Sequence, residues 1–500
     1  MSAIAIPFEE KLSFEYSFAD FQGSDIRNPE LKKNKIGQNL RKDCGLPTMT
    51  EPQVVKHFTR LSTQNYSIDA NFYPLGSCTM KYNPRLNEKV ARLSGFANLH
   101  PAQSEKSIQG ALKMMKILEN WLSELTGLPA ITLTPAAGAH GEFAGIMCIK
   151  KYFESQNQPQ RKYIIVPESA HGTNPATAAM CGFQILSVQI TSDGFTNLDQ
   201  VQSIISEYGD KIAGIMLTNP STCGLFEKNV KKIADLIHSI GGLFYCDGAN
   251  FNAIVGKIKT ADFGVDVMHF NLHKTFSTPH GGGGPGCGPI AVCEKLAPHL
   301  PTPKIVENNG KFSVISEDLL SFGKIKGFYG QFLVMVRALT YMVSTGADGL
   351  SDVAQDSVLS ANYIYHKLKN HFFAPYFDEK TNPFCMHECL FTDKIQKAES
   401  GITTTNIAKY LLQNGIHAMT TFFPLVVSGA MLIEPTETES KEMIDEFIRV
   451  MIDIAEHSQS NPSEIISAPR NLFRKKCDDV LAAKIPTLSF QALKLQESPN

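Results

Sequence analysis

Short apolar runs alternate with helical patterns through the central part of this chain. The runs lie at residues 131–133, 163–166, 183–188, 212–217, 243–246 and 265–270, and helical patterns separate most of them, for example at 198–207 and 230–240. A strand–helix repeat of this kind predicts an α/β fold with a mostly parallel sheet that helices cover on both faces. Ligands of such sheets bind outside the carboxyl ends of the strands, so we expect the chemically active side chains directly after the runs.

The other patterns divide the chain into three parts. We predict an N-terminal arm, a large domain and a smaller C-terminal domain, at residues 1–65, 66–330 and 331–500. The arm is either a poorly ordered tail or a segment that lies across a partner subunit. The helix-like apolar spacing of Val54, Val55 and Phe58 favours the second interpretation.

Two further regions have clear patterns. Residues 108–127 read as an amphipathic helix that Gly127 ends. The C-terminal part has helical patterns at 331–341 and 440–455 and strand patterns at 385–391 and 417–423. This combination predicts an α+β domain. In that part Cys385 and Cys389 flank His387 and Glu388, and this segment is either a metal site or a strand. No second ligand pair has zinc spacing, which favours the strand.

Composition and charge exclude several classes of protein. The apolar share of 43% is ordinary for a globular enzyme, and the net charge of −2 creates no overall field that would attract nucleic acid or an anionic membrane. No apolar run approaches the ~18 residues of a membrane span, and the first residues do not resemble a secretory signal. The eleven scattered cysteines favour reduced thiols in a cytoplasmic protein.

The stretch NLHKTFSTPHGGGGPGCGP, residues 271–289, follows the last apolar run and contains Lys274. A lysine that a strand end shields from bulk water loses its proton more easily, and its neutral amine is a nucleophile. The glycines after it let the backbone approach a bulky group. Our hypothesis is that Lys274 carries pyridoxal phosphate (PLP) as a Schiff base; the alternative is a surface lysine beside a flexible loop.

Other candidate residues follow the earlier runs. Gly138 and Ala139 open a helix whose N-terminus favours a phosphate. His171 could lie flat on an aromatic ring, or be an ordinary loop histidine, and Thr222 offers a hydroxyl. Asp247 follows a buried strand, where it either meets a cation, such as a protonated pyridine nitrogen, or caps a helix. Together these residues offer a partner to the phosphate, ring faces, phenolic oxygen, ring nitrogen and aldehyde of PLP.

Three more motifs leave alternatives open. The segment 71–85, NFYPLGSCTMKYNPR, is rich in donors and cations, so it either lines an anion site or is a solvated turn. The segment IEPTETES, 433–440, reads as a strand-to-helix join or a solvated acidic turn, and we assign it no catalytic role. Gly281, Gly283 and Gly286 formally satisfy the dinucleotide-binding fingerprint, but Pro285 and the apolar PIAV after it argue against the required helix.

These motifs resemble the glycine dehydrogenase (decarboxylating) family, the P-protein of the glycine cleavage system. The segments that carry the resemblance, over most of the chain, are YPLGSCTMKYNPR, AHGTNPA, DGANFNA, NLHKTF with PHGGGGPG, and IEPTETES. The resemblance implies a fold type I PLP enzyme similar to aspartate aminotransferase, with a large sheet domain and a smaller α+β domain. The chain length resembles the PLP-carrying subunit 2 of the two-subunit form, and the sequence departs from the family pattern beyond Ser467.

The resemblance also implies roles for individual residues. Lys274 would be the Schiff-base lysine, Asp247 the partner of the pyridine nitrogen and His171 the ring-stacking histidine. The other cofactor-binding candidates are Gly138, Ala139, Thr222, Ala249 and His273. No metal is implied.

The implied reaction is PLP-dependent decarboxylation of glycine with aminomethyl transfer to the lipoyl arm of H-protein, framed by loops at 73–85 and 279–288. The implied partners are H-protein and subunit 1, in a heterotetramer of two copies of each subunit. Two alternatives stay open: another fold type I PLP amino-acid decarboxylase, and a non-catalytic scaffold.

Overall fold

The computed structural model describes residues 10–16, 46–281, 286–472 and 474–489. Within them a seven-stranded sheet has the order β1-β7-β6-β5-β4-β2-β3. Its strands are β1 (Ala130–Thr132), β2 (Tyr163–Pro167), β3 (Gln184–Val188), β4 (Ile212–Thr218), β5 (Leu243–Gly248), β6 (Val267–Phe270) and β7 (Ile290–Val292). Strands β2 to β6 pair in parallel, and β7 pairs antiparallel with both β1 and β6. The six apolar runs are therefore confirmed as strands, and the PIAV segment continues into a strand rather than a helix.

Helices cover both faces of this sheet, as expected. The helices between residues 51 and 368 are α1 (Glu51–Thr63), α2 (Arg85–Ala91), α3 (Ser94–Ala97), α4 (Gln109–Thr126), α5 (Gly138–Ser155), α6 (Thr173–Met180), α7 (Leu198–Tyr208), α8 (Val230–Ser239) and α9 (Phe332–Leu368). Alternate strand residues face opposite sides: Ile164 packs in the core with α5 and α6, whereas Ile165 packs in the core with α4, α8 and the first half of α9. Gly127 ends α4 with a left-handed φ of 73°, which confirms the predicted stop.

A second core lies around a three-stranded antiparallel sheet in the C-terminal part. Its strands are β10 (Cys389–Thr392), β11 (Thr420–Thr421) and β12 (Ala430–Ile433), in the order β10-β12-β11. The helices of this part are α10 (Lys394–Ser400), α11 (Thr404–Gln413), α12 (Lys441–Ser460), α13 (Pro462–Ile466) and α14 (Asp479–Lys484). Helix α9 joins the two cores, and Gly346 interrupts it with a φ of 72°. Both predicted strands are present but shorter than expected.

Two features of the periphery complete the fold. The hairpin of β8 (Lys304–Asn308) and β9 (Lys311–Ile315) was not predicted. Most of the proposed arm, 1–9 and 17–45, lies outside the described residues, but Glu10 accepts hydrogen bonds from Arg60 on α1, and its Oε1 lies 2.9 Å from Nδ1 of His57. Within the described part of the chain, we find no helix with the length and apolar character needed to traverse a bilayer.

Candidate active site

Lys274 and Asp247 meet at the carboxyl edge of the large sheet. Asp247 lies near the end of β5, and Lys274 follows the neighbouring strand β6 by four residues. Both side chains are buried. The amine of Lys274 donates a hydrogen bond to the backbone carbonyl of Ser77 at 2.8 Å. An amine and a carboxyl group are thus both buried at adjacent strand ends, so the alternative of a surface lysine is wrong.

Hydrogen bonds fix the carboxylate of Asp247. Its Oδ1 accepts from the backbone N–H of Ala249 at 2.9 Å and lies 3.4 Å from Nε2 of His269. The other ring nitrogen of His269 lies 2.7 Å from the hydroxyl of Tyr245. Asp247 is therefore part of a strand rather than a helix cap. The contact with His269, which Tyr245 holds in turn, orients its carboxyl group.

A second buried carboxyl, Glu142 on α5, lies beside Asp247. The hydroxyl of Thr173 donates to Glu142 at 2.8 Å. With its amide nitrogen turned toward the carboxyls, Asn174 donates to Glu142 at 3.0 Å and to Asp247 at 3.2 Å. Burial, followed by the negative charge of Asp247, raises the pKa of Glu142 well above its usual range. Glu142 thus holds a proton more readily than an exposed glutamate does.

The N-terminus of α5 lies at the same edge and begins with Gly138 and Ala139. No side chain caps this helix, although it has eighteen residues. A Cβ on Gly138 would lie only 2.3 Å from Oδ1 of Asn271, and that buried oxygen has no hydrogen-bond partner among the described residues. The helix N-terminus thus offers uncapped N–H groups in a tight polar cradle that suits an anion.

The remaining predicted residues line the same region. The charges of Asp247 and Lys274 both act on His171, whose ring lies 5.5 Å from that of Phe423. Thr222 is buried and its hydroxyl donates to the carbonyl of Ser169 at 2.6 Å. His273, next to the lysine, accepts from the backbone N–H of Cys287 at 3.4 Å.

His273 and His280 form a pair of neutral imidazoles near the lysine. Their rings meet edge to face, with centroids 5.2 Å apart. Burial, followed by His280 and Lys274, lowers the pKa of His273 to about 3, and burial followed by Lys274 lowers the pKa of His280 to about 4. The glycine-rich segment beside them, which we expected to frame a channel, lies partly outside the described residues, at 282–285.

The segment 71–85 contacts acidic side chains, and its central residues are buried. The backbone N–H of Ser77 and the side chains of Thr79 and Lys81 donate in turn to Glu388, Glu434 and Glu437, at 2.8, 2.5 and 2.5 Å. Lys81 also donates to the carbonyl of Thr275 at 2.9 Å and to the hydroxyl of Tyr341 at 3.3 Å. The interpretation of the 71–85 segment as a solvated turn is therefore wrong for its centre. The interpretation of IEPTETES as a solvated acidic turn is also wrong, because Glu434 in that segment is fully buried.

Sequence patterns did not identify several of these residues. Glu142, Asn174 and His269 lie inside helices or a strand, where their spacing predicts only structure. The alternation of Thr79 and Lys81 is the one signal that could have been used, because side chains two residues apart in an extended segment point to the same side.

Among the described residues, two groups of side chains have the composition of a metal site. Each has potential ligand atoms within 4.8 Å of one another: Glu142, Asp247 and His269 in one, and His387, Glu388 and Glu434 in the other. Neither group includes Cys385 or Cys389, which are buried and free. The charge of Lys274 acts on members of both groups and opposes a bound cation, so we assign no metal to either.

Comparison with known proteins identifies the family. Residues 140–306 match the family Aminotransferase class-V, and residues 353–476 match Glycine dehydrogenase, C-terminal domain. A Caulobacter vibrioides protein named "Probable glycine dehydrogenase (decarboxylating) subunit 2" is 47% identical, over 97% of this chain and 92% of its own length. This chain belongs to the glycine dehydrogenase (decarboxylating) subunit 2 family. Relatives with the same name in Caldanaerobacter subterraneus subsp. tengcongensis and Pyrococcus furiosus are 48% and 46% identical, over 93% and 97% of this chain and 94% and 97% of theirs.

Solved structures agree on the fold. A glycine decarboxylase (P-protein) of the glycine cleavage system, in inhibitor-bound form, matches with a TM-score of 0.68 at 17% identity, over 85% of this chain and 93% of its own. An Oryza sativa TDC with PLP and tryptamine matches with a TM-score of 0.63 at 12% identity, over 86% and 93%. The resemblance inferred from the motifs and the expected PLP-enzyme fold are therefore confirmed, and the expected activity of a decarboxylating glycine dehydrogenase is confirmed at the level of the family.

Proposed function

We propose that this subunit uses PLP to release CO2 from glycine and passes the remaining aminomethyl group to the lipoyl arm of H-protein. One observation carries the proposal: the buried amine of Lys274 and the buried carboxylate of Asp247 lie at adjacent strand ends in a chain of this family. When bound, PLP supplies an aldehyde that condenses with amines and a ring that withdraws the electron pair left by departing CO2.

The residues present fit such a cofactor. The cradle formed by Gly138 and Asn271 has no room for a Cβ, and α5 presents uncapped N–H groups to a phosphate. Further polar atoms at this edge, Oγ1 of Thr218, Nδ2 of Asn219 and Oγ1 of Thr278, are buried with no hydrogen-bond partner among the described residues. Buried polar atoms without partners are costly, so a polar ligand would stabilise the edge.

Each candidate residue has a role in this proposal. Lys274 would hold the cofactor aldehyde, and Asp247, oriented by His269 and Ala249, would hold a proton on the ring nitrogen. His171 would lie against the ring face, while Thr222 and His273 would close the pocket around it. Because its pKa is lowered, His273 is neutral and adds no positive charge beside Lys274.

The assembly is also a proposal. The name of the relatives, subunit 2, supports a partner subunit 1, and we propose a cytoplasmic heterotetramer of two copies of each. The division into an arm (1–65), a large domain (66–330) and a small domain (331–500) is supported by two hydrophobic cores that α9 joins. The exposed Val54, Val55 and Phe58 on α1 offer an apolar surface for the partner.

An isotope-exchange assay tests the function. Purified chain with subunit 1 and PLP should exchange labelled bicarbonate into the carboxyl group of glycine only when lipoylated H-protein is added. Lys274→Ala should abolish the exchange and the borohydride-fixed cofactor, whereas Lys259→Ala, at a lysine that pairs with Glu124 on the surface, should change neither. Exchange without H-protein would indicate another amino-acid decarboxylase, and exchange by Lys274→Ala would overturn the assignment.

A further inference from the structure

A buried acidic pair lies behind Lys274 in the second core. Strands β10 and β12 pair antiparallel with Cys389 opposite Ile433, so the next residue outward on each strand, Glu388 and Glu434, lie side by side. Both side chains and that of His387 are completely buried. The strand register therefore brings two carboxyl groups together where neither side chain is exposed at the protein surface.

Each carboxyl group has one bonded and one unbonded oxygen. The backbone N–H of Ser77 donates to Oε2 of Glu388, and Thr79 and Asn252 donate to Oε1 of Glu434, at 2.8, 2.5 and 3.1 Å. Oε1 of Glu388, Oε2 of Glu434 and both ring nitrogens of His387 have no hydrogen-bond partner among the described residues. A buried unbonded carboxyl oxygen is costly, and a proton on it removes much of that cost.

The charges around the pair come from a few groups. The positive charge of Lys274 favours the ionised form of both carboxyl groups. Glu434 disfavours the ionised form of Glu388, and Glu437 disfavours that of Glu434. Burial is the largest influence and raises the pKa of both carboxyl groups above the usual range of glutamate. His387 is neutral, because burial and Lys274 lower its pKa to about 3, and Glu437 is itself paired with Lys81. The two carboxyl groups have oxygen atoms within 4.8 Å of each other, so ionisation of both at once is unfavourable.

We propose that Glu388 and Glu434 bind protons as a coupled pair, and that the charge on the amine of Lys274 sets how many protons the pair holds. With the amine charged, the pair holds one proton and one negative charge; with the amine neutral or removed, the pair takes up a second proton from solvent. The pair thus keeps the net charge of the pocket constant while Lys274 gains and loses its own. Both are positioning residues, since they act through Lys274 and the Ser77 segment that it contacts.

The inference rests on the proposed role of Lys274, but its test needs no cofactor. Infrared difference spectra between wild type and variants, recorded over a pH titration of cofactor-free protein, distinguish a protonated carboxyl from a carboxylate. In Glu388→Gln the remaining Glu434 should titrate at lower pH, because a like charge has been removed, and Glu434→Gln should act likewise on Glu388. Lys274→Met should move the pair's titration about 1–3 pH units higher, because an opposite charge has been removed.

Two controls accompany the test. Glu437→Gln leaves the Glu388–Glu434 pair intact and should move the infrared titration less than Glu388→Gln or Glu434→Gln does. In PLP-loaded protein, Glu388→Gln and Glu434→Gln should each shift the pH midpoint of the visible band while retaining the cofactor.

Two outcomes would overturn the proposal: an unchanged infrared titration in Lys274→Met, or a stoichiometric metal ion in the wild-type protein. A failed exchange assay with intact infrared shifts would instead contradict only the proposed function, and if Glu434→Gln does not fold, Glu388→Gln and Lys274→Met carry the test.

Discussion

The amine of Lys274 donates a hydrogen bond to the carbonyl of Ser77 at 2.8 Å, although 197 positions separate the two residues in the chain. Ser77 has a left-handed φ of 61°, which turns its carbonyl toward the lysine while its N–H reaches Glu388. One residue of the 71–85 segment thus connects the sheet edge with the second core.

Asp247→Asn tests the carboxylate opposite the cofactor ring. An amide cannot supply the negative charge that holds a proton on the ring nitrogen, so we expect kcat of the exchange reaction to fall by about 10²–10³-fold. Thermal unfolding should change little. Asp262→Asn, an exposed aspartate just before β6, is the matched control, and near-normal kcat in Asp247→Asn would contradict the assigned role.

Gly138→Ala tests the phosphate cradle. The new Cβ would lie 2.3 Å from Oδ1 of Asn271, so one of them must move and the helix N-terminus would retreat from the ligand. We expect faster loss of PLP during dialysis, followed by the visible spectrum. Gly110→Ala on α4 is the control, because a Cβ there meets nothing within 4 Å and displaces no neighbouring atom. Equal retention in both variants would exclude the cradle.

Lys81→Met tests the buried ion pair that links the 71–85 segment to IEPTETES. The change leaves Glu437 buried without its cation, so we expect a loss of about 3–5 kcal/mol in the free energy of unfolding, measured with denaturant. The double variant Lys81→Met/Glu437→Gln should recover part of it. Lys441→Met, which breaks an exposed pair with Asp445, should cost less than about 1 kcal/mol. A similar small loss in Lys81→Met would show that the pair is dispensable.

Glu119 on α4 makes stability depend on pH. Burial, opposed by Lys116, raises its pKa in the folded protein to about 7. Between the unfolded value near 4.5 and about 7 the folded state binds more protons, so stability is lost as pH rises through this window. Glu119→Gln should flatten this slope and stabilise the protein at pH 8 by on the order of 2–3 kcal/mol. Glu124→Gln, on the exposed side of the same helix, should leave the slope unchanged, and an equal slope in both variants would contradict the prediction.

Much of the large domain could be predicted from local sequence because its strands are continuous apolar runs with turns after them. Strand β7 is harder to predict, since it has three residues and its antiparallel direction depends on pairing with β1 and β6. The β8–β9 hairpin has a local signal, Asn309 and Gly310 with positive φ, that periodicity alone does not detect.

The residues of the candidate site differ in the same way. Lys274 and Asp247 follow apolar runs and were predicted from that position, whereas the buried polar side chains around them were not. Glu388 and Glu434 become neighbours only through the antiparallel register of two short strands, and no spacing along the chain encodes that pairing. Burial also decides their chemistry, and burial of an acidic residue is a property of the packed core rather than of its own segment.

The alternating contacts of Ser77, Thr79 and Lys81 have a consequence for synthesis of the protein. Their acidic partners belong to the last quarter of the chain, so a ribosome must have translated nearly all of it before the lysine pocket can close. A product truncated before Glu388 contains all strands of the large sheet. In that product Ser77, whose carbonyl accepts the hydrogen bond from Lys274, would lack its own hydrogen bond to Glu388.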